Sequence, residues 1–236
     1  MSALSSLKST YWLLTGDRSE EKTILRFMKH AGADADWKIL DVGCGYGRNL
    51  KRMREFGLNP TGVDTNPDII RTILTQGFAC HDPEDPAVTA MNWDIILMSH
   101  FIEHFDFRPL FGILNKYLDV LKPSGYLIIA SPLPSVVFWD NFDHVKPYTP
   151  AAVEEVFGFR GRQVQFQSDH EIVLRKLWIR RRAFTAGYRE GLYRREMSPA
   201  KAFWGAINVL ANLIHLLSFH GFGRADGWVG MYQKMS

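Results

Sequence analysis

The stretch Ile39-Leu-Asp-Val-Gly-Cys-Gly-Tyr-Gly-Arg-Asn-Leu50 decides the fold of this 236-residue chain. A short apolar run reaches Asp41, three glycines follow at alternate positions, and a helical pattern then begins. A buried strand, a tight turn and a helix start, in this order, bring a nucleotide against bare backbone. Side chains at Gly43, Gly45 or Gly47 would block that approach or the backbone angles of the turn.

A second acidic residue strengthens this interpretation. Residues 60–64 predict another short strand, which ends at Asp64, about twenty residues past the turn. A carboxylate at this place can accept both hydroxyls of a ribose. The dinucleotide fingerprint needs a glycine at position 48, where Arg48 stands. The structural alternative is an ordinary strand–turn–helix corner with an incidental Asp64, and the matching distance and element argue against it.

The rest of the chain alternates between strand and helix patterns up to Pro132, after which the pattern loosens. Strands are predicted at 37–42, 60–64, 78–81, 93–98 and 126–131, and helices at 17–31, 46–56, 67–76, 107–121 and 150–157. Such alternation is typical of an α/β fold, doubly wound, with a mostly parallel sheet and helices on both faces. Two later segments, 163–167 and 228–234, are predicted as strands six and seven.

Composition excludes several classes of protein. Apolar residues make up 46% and charged residues 22% of the chain, as in an ordinary globular domain. A net charge of +3 does not imply nucleic acid as a partner, and none is expected. The only cysteines, Cys44 and Cys80, suit a reducing compartment rather than a disulfide scaffold. Residues 1–10 lack the apolar core of a secretion signal, so a cytoplasmic location is expected.

Four segments carry a resemblance to a known family: DVGCGYGRNL (41–50), GVDTNPDII (62–70), WDIILMSHFIEHF (93–105) and LKPSGYLIIASP (121–132). In order and spacing they resemble the class I S-adenosylmethionine-dependent methyltransferases, nearest the small-molecule and ubiquinone-type branch. The resemblance implies a Rossmann-like, seven-stranded sheet closed by an antiparallel last strand. It implies S-adenosyl-L-methionine as cofactor, and a hydroxyl or amine of a small-molecule or lipid-linked acceptor as substrate.

The resemblance also implies a set of cofactor-binding residues. They are Asp41, Gly43, Gly45, Gly47, Asp64, Thr65, Asp82, Ser99 and His100. Asp82 follows the third strand, where the family has an acidic residue facing the adenine amine.

Methyl transfer to a hydroxyl or ammonium needs a proton acceptor, and three residues are candidates for that chemistry. His104 is a candidate base, with Glu103 holding its tautomer or orienting the substrate. His144, after strand five, is a second candidate base, with Asp143 as its orienting acid. The structural alternatives are that Glu103 and His104 only tie the next helix to the sheet, and that His144 packs within its loop.

No metal site is expected. The string His-x-x-Glu-His over 100–104 matches the inverzincin protease motif, but it leaves a buried strand rather than lying on a long helix. Ubiquinone-type enzymes carry Glu-x-x-Glu-His here, and some are thought to hold magnesium. His100 replaces the first Glu in this chain, which argues against a hard-cation site.

The chain is interpreted as a single methyltransferase domain, 1–236, with a helical insertion before the last strand. Its parts are an N-terminal helical cap (1–36), the cofactor-binding core (37–168), the insertion (169–226) and the last strand (227–236). The first half of the insertion is basic and its second half, 198–222, is apolar. The polar residues of this apolar half, Lys201, Asn208, Asn212 and His215, fall on one narrow helical stripe.

Two roles remain open for the apolar helix of the insertion. It packs on its own domain or on a second subunit of a homodimer, or it rests with its basic neighbours on a membrane or an amphiphilic acceptor. In the second case the protein is peripheral on the inner face of the membrane. A single membrane crossing is rejected, because strand seven must return to the same sheet.

Two other functions compete with methyl transfer. A nicotinamide-dependent dehydrogenase would share the first strand and turn, but the chain lacks its third fingerprint glycine and a Tyr-x-x-x-Lys pair. A non-catalytic scaffold would keep the fold without the chemistry. The intact glycine turn and Asp64 count against a scaffold.

Overall fold

The computed structural model describes residues 18–135, 137–158, 166–187 and 198–235. The strands are β1 Ile39–Val42, β2 Pro60–Val63, β3 Cys80–His81, β4 Trp93–Ser99, β5 Leu121–Pro132, β6 Ile172–Arg182 and β7 Arg224–Lys234. The helices are α1 Arg18–Ala31, α2 Arg48–Glu55, α3 Pro67–Thr75, α4 Pro86–Thr89, α5 Phe107–Asp119, α6 Pro150–Phe157 and α7 Pro199–Leu217. Single 3-10 turns are formed by Ile102–His104 and Val137–Asp140.

One seven-stranded sheet orders these strands as β3-β2-β1-β4-β5-β7-β6. Strands β1 to β5 pair in parallel, and the last strands are antiparallel. The predicted doubly wound, mostly parallel methyltransferase fold is therefore confirmed. Asp41 on β1 stands opposite Gly62 on β2 and Leu97 on β4. The segments that follow these three strands consequently meet at one edge of the sheet.

Local sequence explains where the helices begin after the strands. Asn66 accepts a hydrogen bond from the backbone N–H of Asp68 at 2.9 Å and caps α3, and Asp106 caps α5 in the same way. Thr149 accepts from the N–H of Ala152 and caps α6, as the Thr-Pro pair predicts. All four residues of β1 are buried, because β1 lies between two other strands with both of its faces covered.

The contacts divide the chain into two compact units, and the first comprises Met1–Trp178 with Trp228–Ser236. Its apolar core joins strands to the helices on them through fully buried side chains, such as Leu50 of α2, Ile73 of α3, Ile95 of β4 and Ile128 of β5. The predicted N-terminal helix is present as α1, and its Met28 belongs to the same core. The first unit contains every residue of the candidate active site.

The second unit, Ile179–Gly227, contains α7 and the adjoining ends of β6 and β7. Arg180 and Asp226 join these two strand ends through a 2.9 Å ion pair. Ser198 caps α7, and Pro199 occupies its first turn, which is a favoured start for a helix. The helix ends at Leu217, five residues before the predicted end of the apolar segment.

Strand six lies elsewhere than the sequence predicts. Residues 163–165 of the predicted strand fall outside the described residues, and Phe166 and Gln167 have no regular structure. The sheet instead uses β6, which begins at Ile172, inside the predicted insertion. This strand escapes prediction because most of its residues are partly or fully exposed and five of its eleven residues are basic.

Candidate active site

The glycine turn after β1 has the backbone conformation that the sequence requires. Gly43, Gly45 and Gly47 have φ angles of 70°, 50° and 78°, in the left-handed region that favours glycine. The N–H groups of Gly43 and Cys44 donate to the carbonyl of Val63 at 2.8 and 3.0 Å. These hydrogen bonds fix the turn against the end of β2.

Space around the turn is closed on two sides and open on the third. A β-carbon at Gly43 would lie 2.6 Å from the ring of Phe101, and one at Gly47 would lie 2.7 Å from Cδ1 of Ile73. At Gly45 a β-carbon would meet no atom of the described residues within 4 Å. Gly45 is therefore the position at which a ligand can approach bare backbone.

A neighbouring glycine on β2 is also confined. A β-carbon at Gly62 would lie 2.7 Å from Sγ of Cys44, which in turn lies 3.8 Å from Sγ of Cys80. Cys44 is buried between these neighbours. Cys44 therefore packs against the glycine turn and β2.

Asp64 connects the turn to the segment after β2. Its Oδ2 accepts a hydrogen bond from the N–H of Gly45 at 3.1 Å, and its Oδ1 accepts one from the N–H of Asn66 at 2.9 Å. These backbone donors orient the carboxylate beside the open face of Gly45. Each carboxylate oxygen can accept a further hydrogen bond, so the geometry suits the two hydroxyls of a ribose.

Asp41 is a buried acid with an unsatisfied oxygen. Its side chain is 1% exposed, and Oδ2 has no hydrogen-bond partner among the described residues. Burial raises the pKa of Asp41 to about 7, although Arg48 and a hydrogen bond from Asn49 oppose the rise. A buried carboxyl oxygen without a partner, two residues before the glycine turn, is suited to a cofactor that carries a positive charge.

His100, directly after β4, is held between two buried carboxylates. Its Nε2 lies 2.8 Å from Oε1 of Glu20 on α1, and its Nδ1 lies 3.2 Å from Oε1 of Glu103. Burial lowers the pKa of His100, but hydrogen bonds to Glu103 and Glu20 outweigh it and raise the pKa to about 9. His100 is therefore an imidazolium at neutral pH. It fastens α1 over the carboxyl end of β4 despite a left-handed φ of 52°.

The carboxylate of Glu103 forms its hydrogen bond with His100 rather than with His104. Its Oε2 accepts from the hydroxyl of Ser131 at 3.2 Å, while Oε1 faces His100. The prediction that Glu103 holds the tautomer of His104 is therefore wrong, because the carboxylate bridges β4 and β5 instead. Its backbone carbonyl also accepts from the N–H groups of Val145 and Lys146, at 2.8 and 3.2 Å, which fixes the loop after β5.

The two candidate bases, His104 and His144, lie side by side. Their ring centroids are 5.2 Å apart in an edge-to-face arrangement. Nδ1 of His104 donates to the carbonyl of Asp143 at 3.0 Å, and Nδ1 of His144 donates to the carbonyl of Phe138 at 3.0 Å. Both rings therefore carry their proton on Nδ1 when neutral and present Nε2 as the acceptor. The prediction that the Asp143 carboxylate orients His144 is wrong, since a backbone carbonyl does so.

The two histidines differ in what reaches their Nε2 atoms. The amide of Asn141 donates to Nε2 of His144 at 3.1 Å. His104 is exposed, and its backbone N–H donates to the carbonyl of Phe101, whose ring lies against Gly43. His104 is thus the better placed base and is connected through Phe101 to the glycine turn.

The same cluster does not fit the magnesium site of some ubiquinone-type enzymes. Glu103, His104 and His144 offer ligand atoms within 4.8 Å of one another. Magnesium favours oxygen ligands in octahedral geometry, and this set holds one carboxylate, which already binds His100 and Ser131. His100 stands where the Glu-x-x-Glu-His sequence has its first Glu, and His100 is itself positively charged.

The remaining predicted cofactor residues lie along the same sheet edge. Thr65 follows Asp64 and is exposed, and Ser99 is the buried last residue of β4. Asp82 follows β3, and its Oδ1 accepts from the N–H of Glu84 at 2.9 Å. Their contacts with the cofactor stay predictions. Sequence reasoning missed Glu20 and Ser131, because no local pattern reveals partners that lie 80 and 28 residues away from His100 and Glu103.

Comparisons with known proteins agree with this geometry. Residues 17–178 match the family model described as a methyltransferase domain. The ubiquinone biosynthesis O-methyltransferase of Bartonella tribocorum is 32% identical over 102 residues, which cover 40% of each chain. The mitochondrial human enzyme of the same name is 30% identical over 111 residues, 40% of this chain and 28% of its own length. The chain thus spans about two fifths or less of the length of these relatives.

Solved structures show the same fold. A SAM-dependent methyltransferase from Archaeoglobus fulgidus superposes with a TM-score of 0.56 at 20% identity, over 96% of this chain and 99% of the other. A sarcosine dimethylglycine methyltransferase described from Galdieria sulphuraria gives a TM-score of 0.57 at 14% identity, over 92% and 86%. The resemblance deduced from the four sequence segments is confirmed. The chain belongs to the methyltransferase domain family, and S-adenosylmethionine is its cofactor.

Proposed function

We propose that this protein transfers a methyl group from S-adenosylmethionine to a hydroxyl or amine of a small, partly apolar or lipid-linked acceptor. The observation that carries the proposal is the pair His104 and His144, in which Nδ1 of each ring donates to a backbone carbonyl and Nε2 of the exposed His104 is left as a hydrogen-bond acceptor for a substrate. The ubiquinone O-methyltransferases among the relatives support a hydroxyl as the first acceptor to test.

The cofactor supplies an activated methyl group on a sulfonium, so the chain has to align the acceptor and remove its proton. Asp41 and Asp64 hold the positive and ribose portions of the cofactor in this proposal. His104 takes the acceptor's proton on Nε2. Its Nδ1–H keeps its hydrogen bond to the carbonyl of Asp143, which stabilises the imidazolium that forms.

The loop after β5 positions the base. Val145 and Lys146 bind the backbone of Glu103, and Asp143 binds His104. Asn141 binds Nε2 of His144 and keeps that ring from turning. The base is therefore preorganised by backbone groups of two segments rather than by an acidic partner.

An apolar cavity next to this loop supports a partly apolar acceptor. It measures about 280 Å³ and lies between α5 and α6. Its lining includes four aromatic side chains and one lysine, namely Phe107, Phe111, Phe157, Tyr148 and Lys146. The cavity is close to the lower limit of small-molecule pockets, about 300 Å³. It suits one aromatic ring or a short apolar group, and a lipid-linked acceptor would agree with the membrane-peripheral alternative that the sequence leaves open.

The proposal is tested with labelled S-adenosylmethionine and fractions of a cell extract, in which methylated products are identified by mass. With the acceptor in hand, His104→Ala should lower turnover about a hundredfold, because general base catalysis contributes that much. His144→Ala should lower it less, since Asn141 already occupies its Nε2. Cofactor affinity, measured by calorimetry, should stay near normal in both variants.

His104→Asn tests the basic nitrogen of His104 separately from the hydrogen bond that positions its side chain. The asparagine amide can replace Nδ1 as donor to the Asp143 carbonyl but offers no basic nitrogen. An asparagine variant as slow as the alanine variant supports His104 as base. Full turnover of His104→Asn would remove His104 from the mechanism, and His30→Asn on α1 serves as the exposed-histidine control.

A further inference from the structure

Helix α7 has its polarity reversed relative to an ordinary surface helix. Every exposed position in it carries an apolar residue or glycine, and its polar residues, Lys201, Asn208, Asn212 and His215, are partly or fully buried. A helix on a protein surface in water normally buries its apolar stripe and exposes its polar one. The predicted polar stripe is therefore present, and it faces other residues of the second unit.

Hydrogen bonds within the second unit hold the polar stripe in place. The side chain of Asn208 donates to the carbonyl of Ala186 at 3.0 Å and accepts from its N–H at 2.7 Å. Nδ1 of His215 donates to the carbonyl of Phe222 at 2.6 Å, and Nε2 of His215 accepts from His220. These contacts fix the rotation of the helix, so the apolar side is turned outward by specific bonds.

The outward face is wide and free of polar groups. Phe203, Val209, Leu210, Leu213 and Leu217 are each between 50% and 80% exposed. The helix is long and apolar enough to span a membrane by length and composition, and 6% of its apolar window is buried. Contiguous apolar surface of this kind marks an interaction site.

Charge decides what covers this face. The described residues of the second unit include five cationic side chains, Arg180, Arg181, Arg182, Lys201 and Arg224. They include one acid, Asp226, which pairs with Arg180 and Arg182. A second copy of the chain would bring an equally positive unit against this one. An anionic lipid surface complements both the apolar face and the net positive charge of this unit's described residues.

We propose that the outward face of α7 lies in the interfacial layer of an anionic bilayer, with the helix axis in the membrane plane. A transmembrane orientation conflicts with the sheet, because α7 connects two strands, β6 and β7, that neighbour each other. Attachment requires neither cofactor nor acceptor, so the inference stands or falls separately from the methyl-transfer proposal.

Sedimentation of the full chain with vesicles tests the proposal. Phosphatidylcholine vesicles are compared with vesicles that contain phosphatidylglycerol, at low and at high salt. Binding should need the anionic lipid and should weaken with salt, because exposed charges are then screened. Leu213→Glu should weaken binding roughly tenfold to a hundredfold, since it removes a large side chain from the apolar layer and adds a negative charge.

Leu74→Glu is the matched control. Leu74 on α3 is 51% exposed, as Leu213 is 50% exposed, but it lies outside the second unit. This variant should bind vesicles as the unmodified chain does, and both variants should bind S-adenosylmethionine normally, which shows that they are folded.

Three results would overturn the proposal. They are equal binding to neutral and anionic vesicles, binding that Leu213→Glu leaves unchanged, and no binding at all. If vesicle binding is absent and analytical ultracentrifugation shows a dimer that Leu213→Glu dissociates, then a second copy covers the face.

Discussion

Replacing His100 should change how the stability of this protein depends on pH. His100 carries its charge between Glu20 and Glu103, which are 1% and 0% exposed. The variant of choice is His100→Asn, because asparagine tolerates the left-handed φ of 52° better than most residues. Its side chain is too short to bridge both carboxylates, so the substitution removes the ion pairs with little added backbone strain.

The magnitude follows from the pKa of His100, which rises from 6.5 to about 9 in the folded protein. This difference corresponds to about 3 kcal/mol of stabilisation, since each pKa unit is worth about 1.4 kcal/mol. The side chain is 32% exposed, so solvent screening reduces the value to about 2 kcal/mol. Because the folded pKa lies above the unfolded one, the stabilisation is complete below pH 6.5 and is lost as the pH rises through 9.

Urea unfolding followed by tryptophan fluorescence between pH 6 and pH 10 measures this effect. The free energy of unfolding of the unmodified chain should fall by about 2 kcal/mol more across this range than that of His100→Asn. At pH 6 the variant should be the less stable protein by about 3 kcal/mol, because two buried carboxylates lose their partner. His220→Asn is the control, since His220 has a φ of 65° but contacts another histidine rather than an acid. Parallel pH profiles for His100→Asn and the unmodified chain would refute the reasoning.

Two further predictions concern the cofactor site. Asp64→Ala should weaken S-adenosylmethionine binding about tenfold to a hundredfold without unfolding the protein, because a charge-assisted contact is lost; unchanged affinity in calorimetry would remove Asp64 from the site. Asp41→Asn should have opposite effects on binding and on stability. Since burial raises the pKa of Asp41 from 3.8 to about 7, its ionisation reduces the stability of the free protein progressively between these values and fully above pH 7. At pH 8 the free energy of unfolding of Asp41→Asn should therefore be about 1–3 kcal/mol higher than that of the unmodified chain, after the cost of one buried amide. The variant should also bind the cofactor at least tenfold more weakly. A less stable variant with normal cofactor affinity would contradict both the destabilising effect of the Asp41 charge and its role in binding.

The parts of the site that sequence could predict are those that a short segment specifies alone. The glycine turn, Asp64 and the start of α6 each depend on residues a few positions apart, and they appear where predicted. His104 and His144 were separate candidates in sequence, and the fold brings them together across 40 positions. Their orienting partners are backbone carbonyls, which every residue possesses, so no side-chain pattern could identify them.

Two features could not be predicted from the sequence for similar physical reasons: the direction of the polar stripe on α7 and the position of strand β6. The stripe of Asn208 and His215 was visible in sequence, but its direction depends on the backbone of Ala186 and Phe222, to which any residue type could contribute. Strand β6 was missed because this largely exposed, arginine-rich strand has no apolar run longer than three residues and no strict alternation. A sequence pattern shows which residues share a face, and only the fold shows what that face meets.

The packing of the glycine turn limits which substitutions can compensate each other during evolution. Gly43 and Gly47 are held both by lack of space and by a left-handed backbone, so a smaller neighbour would relieve only one of the two constraints. Gly62 is held by space alone, because a β-carbon there would lie 2.7 Å from Sγ of Cys44 and 3.1 Å from Cδ1 of Leu50. A methyl group at 62 therefore becomes acceptable only when the sulfur at 44 is lost and the Leu50 side chain moves slightly aside. A lineage can gain bulk at 62 by these two changes, whereas positions 43 and 47 have no such path.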